Sequence, residues 1–339
     1  MKMKKITILA ITFLSVSFVF SKAASAGTYK IVNKISLEGN EKWDYLFSDD
    51  SSNRLYVSHG TQVQVIDEVT GKIIGKITDL QGVHGIAIDP VLNEGFISTK
   101  IDNMVTVFDT KTYNVIKKIA VNGKSPDAIL YDAFSKKVYV GNGHSNNVSV
   151  IDPVSNQEIA TIELTGNPEF IVSNEEGIIY LNLESASSIA AINATTFKVE
   201  KVWPLTPGTE PTGLALDNDN HRLFSACANK LMIVTDAETG KVIATLPIGL
   251  DPDGAGYDSE SKCAFSSNGN ETMTVVKEGE NDQYSVVENV TTHKGARTIA
   301  VNRETHHIYL PSGDFEAAAG EKRGKLIPGT MVVLDIVAQ

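Results

Sequence analysis

From Trp43 onward the chain repeats one arrangement of apolar and polar positions seven times. Each period opens on a short, largely apolar stretch that closes on Asp or Asn: WDYLFSD, VHGIAID, PDAILYD, PEFIVSN, PTGLALD, PDGAGYD and ARTIAVN. The openings fall at Trp43, Val83, Pro126, Pro168, Pro211, Pro252 and Ala296, spaced 40, 43, 42, 43, 41 and 44 residues apart. A polar turn follows, then a second stretch built round an aromatic, as in RLYVSHG, EGFISTK, KVYVGNG and HIYLPSG. A third stretch alternates and ends on Asp or Asn (VQVID, VTVFD, VSVID, IAAIN), and a fourth sets lysines among β-branched residues (KIIGKI, NVIKKIAV). Period-two alternation bounded by Gly, Pro, Asn and Asp predicts strands, and no helical period interrupts them. Four short strands in each of seven periods predict an all-β chain, a seven-bladed β-propeller of four-stranded blades.

The last period stops at its third strand, near Asp335. Its fourth is found at the other end of the chain, where KIVNKISL at 30–37 reads like NVIKKIAV at 114–121. The N-terminal strand is therefore expected to complete the C-terminal blade and close the ring, which removes the open edges that invite aggregation.

Residues 1–26 stand outside this pattern. Lys2, Lys4 and Lys5 precede an apolar run at 6–20, and Ala24-Ser25-Ala26 supplies small residues before Gly27. This predicts a secretory signal peptide at 1–26 and a single propeller domain at 27–339. The apolar run is too short for a membrane span, which takes about 20 residues, so no span is expected in the mature chain. The expected location is periplasmic or secreted. The net charge of −11 becomes more negative once the leader's four lysines are removed, and such a chain repels phosphate backbones. Nucleic acid is thus not an expected partner. The two cysteines, Cys227 and Cys263, form neither a CxxCH haem site nor a CxxC redox pair, and their offset on neighbouring second strands predicts no disulfide. No phosphate-cradling loop precedes a helix, so neither haem nor nucleotide is expected.

The blade at 126–167, with KVYVGNGHSNNVSVIDPVSNQEIATIELTGN, resembles the YVTN repeat of bacterial and archaeal propellers. Over 27–339 the chain resembles YncE-like exported proteins, with the first two periods departing from the proline opening at Trp43-Asp44 and Val83-His84. The resemblance implies the fold; propellers host many unrelated activities.

Candidate chemistry follows from the ring. First strands line the central channel, so the residues after each opening converge: Asp44, His84, Asp127, Glu169, Thr212, Asp253 and Arg297. Four carboxylates, an imidazole and a guanidinium predict a polar, acidic funnel, with Trp43 placed to stack on a ligand. His84, Asp127 and Glu169, on consecutive blades, are the expected metal ligands for Zn, Mn or Ca, and Arg297 the seat of an anionic group. Second-to-third-strand loops add His59, Lys100, Asn142, His144, Glu184, Asn229, Asn268, Asp314 and Glu316 to that face, whereas His306-His307 lies at the opposite end. Asp67, Asp109, Asp152 and Asp236 precede turns and are expected to bond their own turn backbone. The long insertion at 312–330 is expected to form a lid, with Asp314 or Phe315 approaching the funnel. These features predict a monomeric exported propeller that binds a small-molecule ligand or metal ion. The alternatives are a metal-dependent hydrolase, lactonase or lyase with His84 as ligand or general base, and a scaffold for a protein partner.

Overall fold

The computed structural model describes residues 28–316 and 324–339; the expected signal peptide at 1–26 lies outside them. Among the described residues are seven four-stranded antiparallel sheets and one two-stranded ribbon. The sheets follow the periods read from the sequence. Blade one, for example, is Trp43–Asp49, Arg54–His59, Gln62–Asp67 and Lys72–Ile77 in that order.

The closure is as expected. Tyr29–Ser36 pairs antiparallel with Val332–Ala338 in the seventh blade, from Tyr29 opposite Ala338 to Ser36 opposite Val332. Tyr29 also packs edge-on to Phe265 of blade six at 5.3 Å, so the N-terminal strand is held by packing as well as by its ladder.

The core lies between blades. Second and third strands are buried along nearly their whole length, while fourth strands alternate or face water. Lysines on those outer strands, such as Lys117 and Lys118, blunt the free edge against pairing with other chains. Each Asp expected to close a turn does so: Asp67 accepts from the Thr70 N–H and hydroxyl at 2.7 Å each, and Asp236 likewise from Thr239. Cys227 and Cys263 are free and buried.

Blade seven is the irregular one. Its first strand pairs with the second only over Ala300–Val301. Its insertion forms a ribbon of Phe315–Glu316 with Lys325–Leu326. No helix among the described residues is long and apolar enough to cross a membrane.

Candidate functional site

The residues after each opening are turned into the channel by a recurring backbone device. In blades one to six the ladder between first and second strands shifts register just after the opening residue, as between Trp43 and Leu46 or Val83 and Ile86. Such a bulge re-aims side chains and leaves backbone groups without ladder partners. Small polar side chains of the second strands take up those groups. Ser58 Oγ accepts from the Asp44 N–H at 3.0 Å, and Ser98 Oγ accepts from the Gly85 N–H at 2.8 Å. Asn182 Nδ2 donates to the carbonyls of Thr212 and Gly213, and the hydroxyls of Ser98 and Ser267 donate to those of Asp127 and Arg297. Several of these bonds cross to the next blade, so the funnel wall is pinned around the ring. Gly213 shows how close the first strands approach: a Cβ there would meet the backbone nitrogen of Ala255 at 2.3 Å.

The cavity so formed measures about 200 Å³ and is lined by Asp44, Tyr45, His84, Asp127, Glu169, Asp253, Arg297 and Thr298. Six of the seven expected ring residues therefore meet. The seventh, Thr212, turns its hydroxyl to the Ala226 and Pro252 carbonyls. Tyr45 and Thr298, each one residue beyond an expected ring position, line the cavity as well. Tyr45 packs on Phe170 at 5.5 Å, and Thr298 donates to the Asp44 carbonyl at 2.5 Å.

The charges are arranged as interleaved pairs. His84 Nδ1 lies in contact with Asp44 Oδ2 and 3.2 Å from Asp127 Oδ1, aligned for a linear hydrogen bond with neither. Burial disfavours the charged imidazole, but Asp127 and Asp44 outweigh it and raise its pKa to about 10. Burial also works against ionised Asp127, and there His84, Lys100 and Tyr45 prevail, holding the carboxyl below its usual range. Lys100 Nζ stands 3.9 Å from Asp127. Arg297 contacts Asp253 and lies 3.8 Å from Asp44. Among the described residues no such cation pairs with Glu169. Burial first, then the charges of Asp127, Glu184, Asp253 and Asp44, push it up to about 9, so at neutral pH it is a protonated acid.

The compact triad is Asp44, His84 and Asp127, one ligand atom from each within 4.8 Å of the others. Glu169 lines the cavity but stands outside this cluster, because the ring neighbours of blade two are blades one and three. Trp43 does not face the cavity: it is 5% exposed and packs under Phe315 at 5.7 Å, on the core side of the bulge. His59 is sealed within its blade with neither ring nitrogen bonded. Asn142 is buried and spends its amide on Asn147 and Ser149, while Asn229 bonds the Pro207 carbonyl. Neither Asp314 nor Phe315, in the described part of the insertion, lines the funnel. Asp314 pairs with His293 at 3.0 Å, and Asp314 and Phe315 line a separate cavity. His306 and His307, at the opposite end, pair with Asp258 and Asp335.

Fold and site together define a seven-bladed β-propeller with a charge-paired polar cavity at its channel. No family model matches the chain. It is 27% identical over 180 residues to Antigen Lp49 of Leptospira interrogans, covering 49% of this chain and 39% of that protein. It is 30% identical over 94 residues to YncE of Salmonella typhimurium, covering 27% of this chain and 26% of that one. The matched stretches thus span well under half of either relative. A solved hydrazine synthase chain of Kuenenia stuttgartiensis superposes with a TM-score of 0.71 over 81% of this chain and 94% of its own, at 17% identity. A structure of U3-55K superposes with a TM-score of 0.75 at 8% identity, over 90% of this chain and 98% of its own. At such identities the likeness is one of fold. The chain is a seven-bladed β-propeller, similar to YncE over the matched 94 residues.

Proposed function

We infer that this is an exported, YncE-like binding propeller whose funnel takes one small polar ligand, and that a hydrated divalent transition-metal ion suits the cavity best. The observation that carries the reading is the Asp44–His84–Asp127 cluster, an imidazole nitrogen and two carboxylate oxygens from three consecutive blades within 4.8 Å. Ligand atoms about 2.0–2.2 Å from a tetrahedral Zn²⁺ stand about 3.3–3.6 Å from one another, so His84 and Asp44 need to separate slightly to admit the ion. An imidazole in the set favours Zn or Mn over Ca, which prefers six to eight oxygens. The cavity volume adds support: about 200 Å³ is below the range of drug-like pockets and leaves room for about six waters at about 30 Å³ each. Export to the periplasm or beyond rests on the basic, apolar and small-residue segments of 1–26.

In this reading the ion takes the place of the proton that His84 holds between two aspartates. Calorimetric titration of the chelator-stripped protein with Zn²⁺ and Mn²⁺ tests it. The expected result is one ion per chain with release of one proton, and affinity rising with pH up to the pKa of His84, about 10. Asp127→Asn should abolish binding while the protein stays folded. Saturation by neither ion, with an unmoved melting temperature, would overturn it.

A further inference from the structure

A second and larger cavity, of about 430 Å³, lies apart from the funnel and within the size range of small-molecule pockets. Its walls are Glu271 in a blade-six loop, Thr292, His293 and Lys294 after the last strand of that blade, and Asp314 and Phe315 in the blade-seven insertion. The first two walls are tied together. The Thr292 N–H donates to the Glu271 carbonyl at 2.9 Å, and the Gly295 N–H to the Gly269 carbonyl at 3.1 Å.

His293 is oriented from behind. Ser312, fully buried, has its Oγ 2.7 Å from His293 Nδ1 and 3.2 Å from the Lys294 carbonyl. This contact fixes the ring's orientation, with Nε2 turned to the cavity. Nε2 faces Asp314 Oδ1 at 3.0 Å. A hydrogen on Nε2 donates to that carboxylate. Asp314 is 53% exposed, and even as an ion pair a contact that open is worth about 0–1 kcal/mol. A competing carboxylate can displace it at little cost, with the Lys294 cation beside it. The other wall offers acceptors: the Glu271 carboxylate, and a Thr292 hydroxyl that is buried without a hydrogen-bond partner. Phe315 adds an apolar surface.

We propose that this cavity binds a small zwitterion of the α-amino-acid class. The ligand carboxylate replaces Asp314 on His293 and Lys294, its ammonium is received by Glu271 and Thr292, and its side chain lies against Phe315. The proposal is independent of the funnel. Calorimetric titration of the full chain with phenylalanine, 3-phenylpropanoate and phenethylamine tests it. Phenylalanine is expected to bind once per chain, with each single-charge analogue weaker by about tenfold or more. His293→Ala should abolish phenylalanine binding, and Glu271→Gln should lower it to the level of phenylpropanoate. Lys294→Gln, a surface change, should weaken it with the melting temperature unmoved, and Asp127→Asn should leave it intact. Absence of saturable binding by phenylalanine, leucine and glycine alike would overturn the proposal. So would equal binding by the folded His293→Ala protein, or affinity indifferent to loss of the amine.

Discussion

The strand Pro126–Asp132 carries an aspartate near each end, and the two are held in opposite ways. Asp132, fully buried at the turn end, is satisfied by hydrogen bonds from its surroundings. Its Oδ2 accepts from the Ser135 N–H at 2.8 Å and hydroxyl at 2.6 Å, and its Oδ1 accepts from Ser173 at 2.5 Å. Asp127, at the funnel end, leans on cations instead: the His84 imidazolium at 3.2 Å and Lys100 at 3.9 Å. Hydrogen bonds from neutral donors leave a carboxylate with no reason to exchange partners. Charge pairing against a proton-bearing imidazole leaves it poised to accept another cation in its place. The same residue type is structural at one end of a strand and available for chemistry at the other.

Substitution should separate the two ends. Asp132→Ala strands two hydroxyls and an N–H around a buried position, and is expected to lower the unfolding free energy by about 2–3 kcal/mol in urea melts. Asp127→Asn keeps the shape and is expected to change stability by less than about 1 kcal/mol while eliminating metal binding. Equal losses for the two variants would mean that Asp127 is as structural as Asp132.

The ring itself was legible because it depends on period and strand direction alone, and so was the closing strand, whose KIVNKISL repeats the outer-strand pattern. The bulge was not. It is a backbone irregularity, and its marks are the small polar residues Ser58, Ser98, Asn182 and Ser267 in otherwise apolar second strands. Without it, Trp43 looks like a channel residue and Tyr45 does not. The exclusion of Glu169 from the triad has a second cause. Asp44, His84, Asp127 and Glu169 follow one another on blades one to four, so chain order alone does not choose between a triad centred on His84 and one centred on Asp127; the contacts of His84 do.

Glu169 sharpens the comparison further, being a funnel carboxyl with no paired cation among the described residues. Its pKa of about 9 lies well above the ordinary value of 4.5. Between those limits the folded chain holds a proton that the unfolded chain lacks, so Glu169 makes stability fall as pH rises. Glu169→Gln mimics the protonated acid and cannot ionise. It should leave the melting temperature unchanged near pH 5 and raise it above wild type near pH 9. A variant less stable than wild type at pH 9 would show that Glu169 is ionised and paired in the folded protein.

The smallest expected effect lies at the turn face, where one carboxylate does rely on an imidazole. Asp258 Oδ1 meets His306 Nδ1 at 2.8 Å, and Glu260 meets Nε2 at 2.6 Å. Asp258 leads in raising the His306 pKa above its ordinary value, against a small opposing cost of burial. A raised histidine stabilises the folded chain fully below its unfolded pKa of about 6.5 and loses that contribution as pH climbs through the folded value. The pair links blade six to blade seven, but His306 is about a third exposed, and water screens such contacts to about 0–1 kcal/mol. His306→Gln should therefore cost stability at pH 5.5 by no more than about 1 kcal/mol and cost less at pH 9. Asp258 would still accept from the Ser261 N–H at 3.1 Å, the kind of bond that secures Asp132. A loss that is larger, or that grows with pH, would mean that the seam depends on the imidazole itself, and that the two faces of the propeller differ less than Asp127 and Asp132 imply.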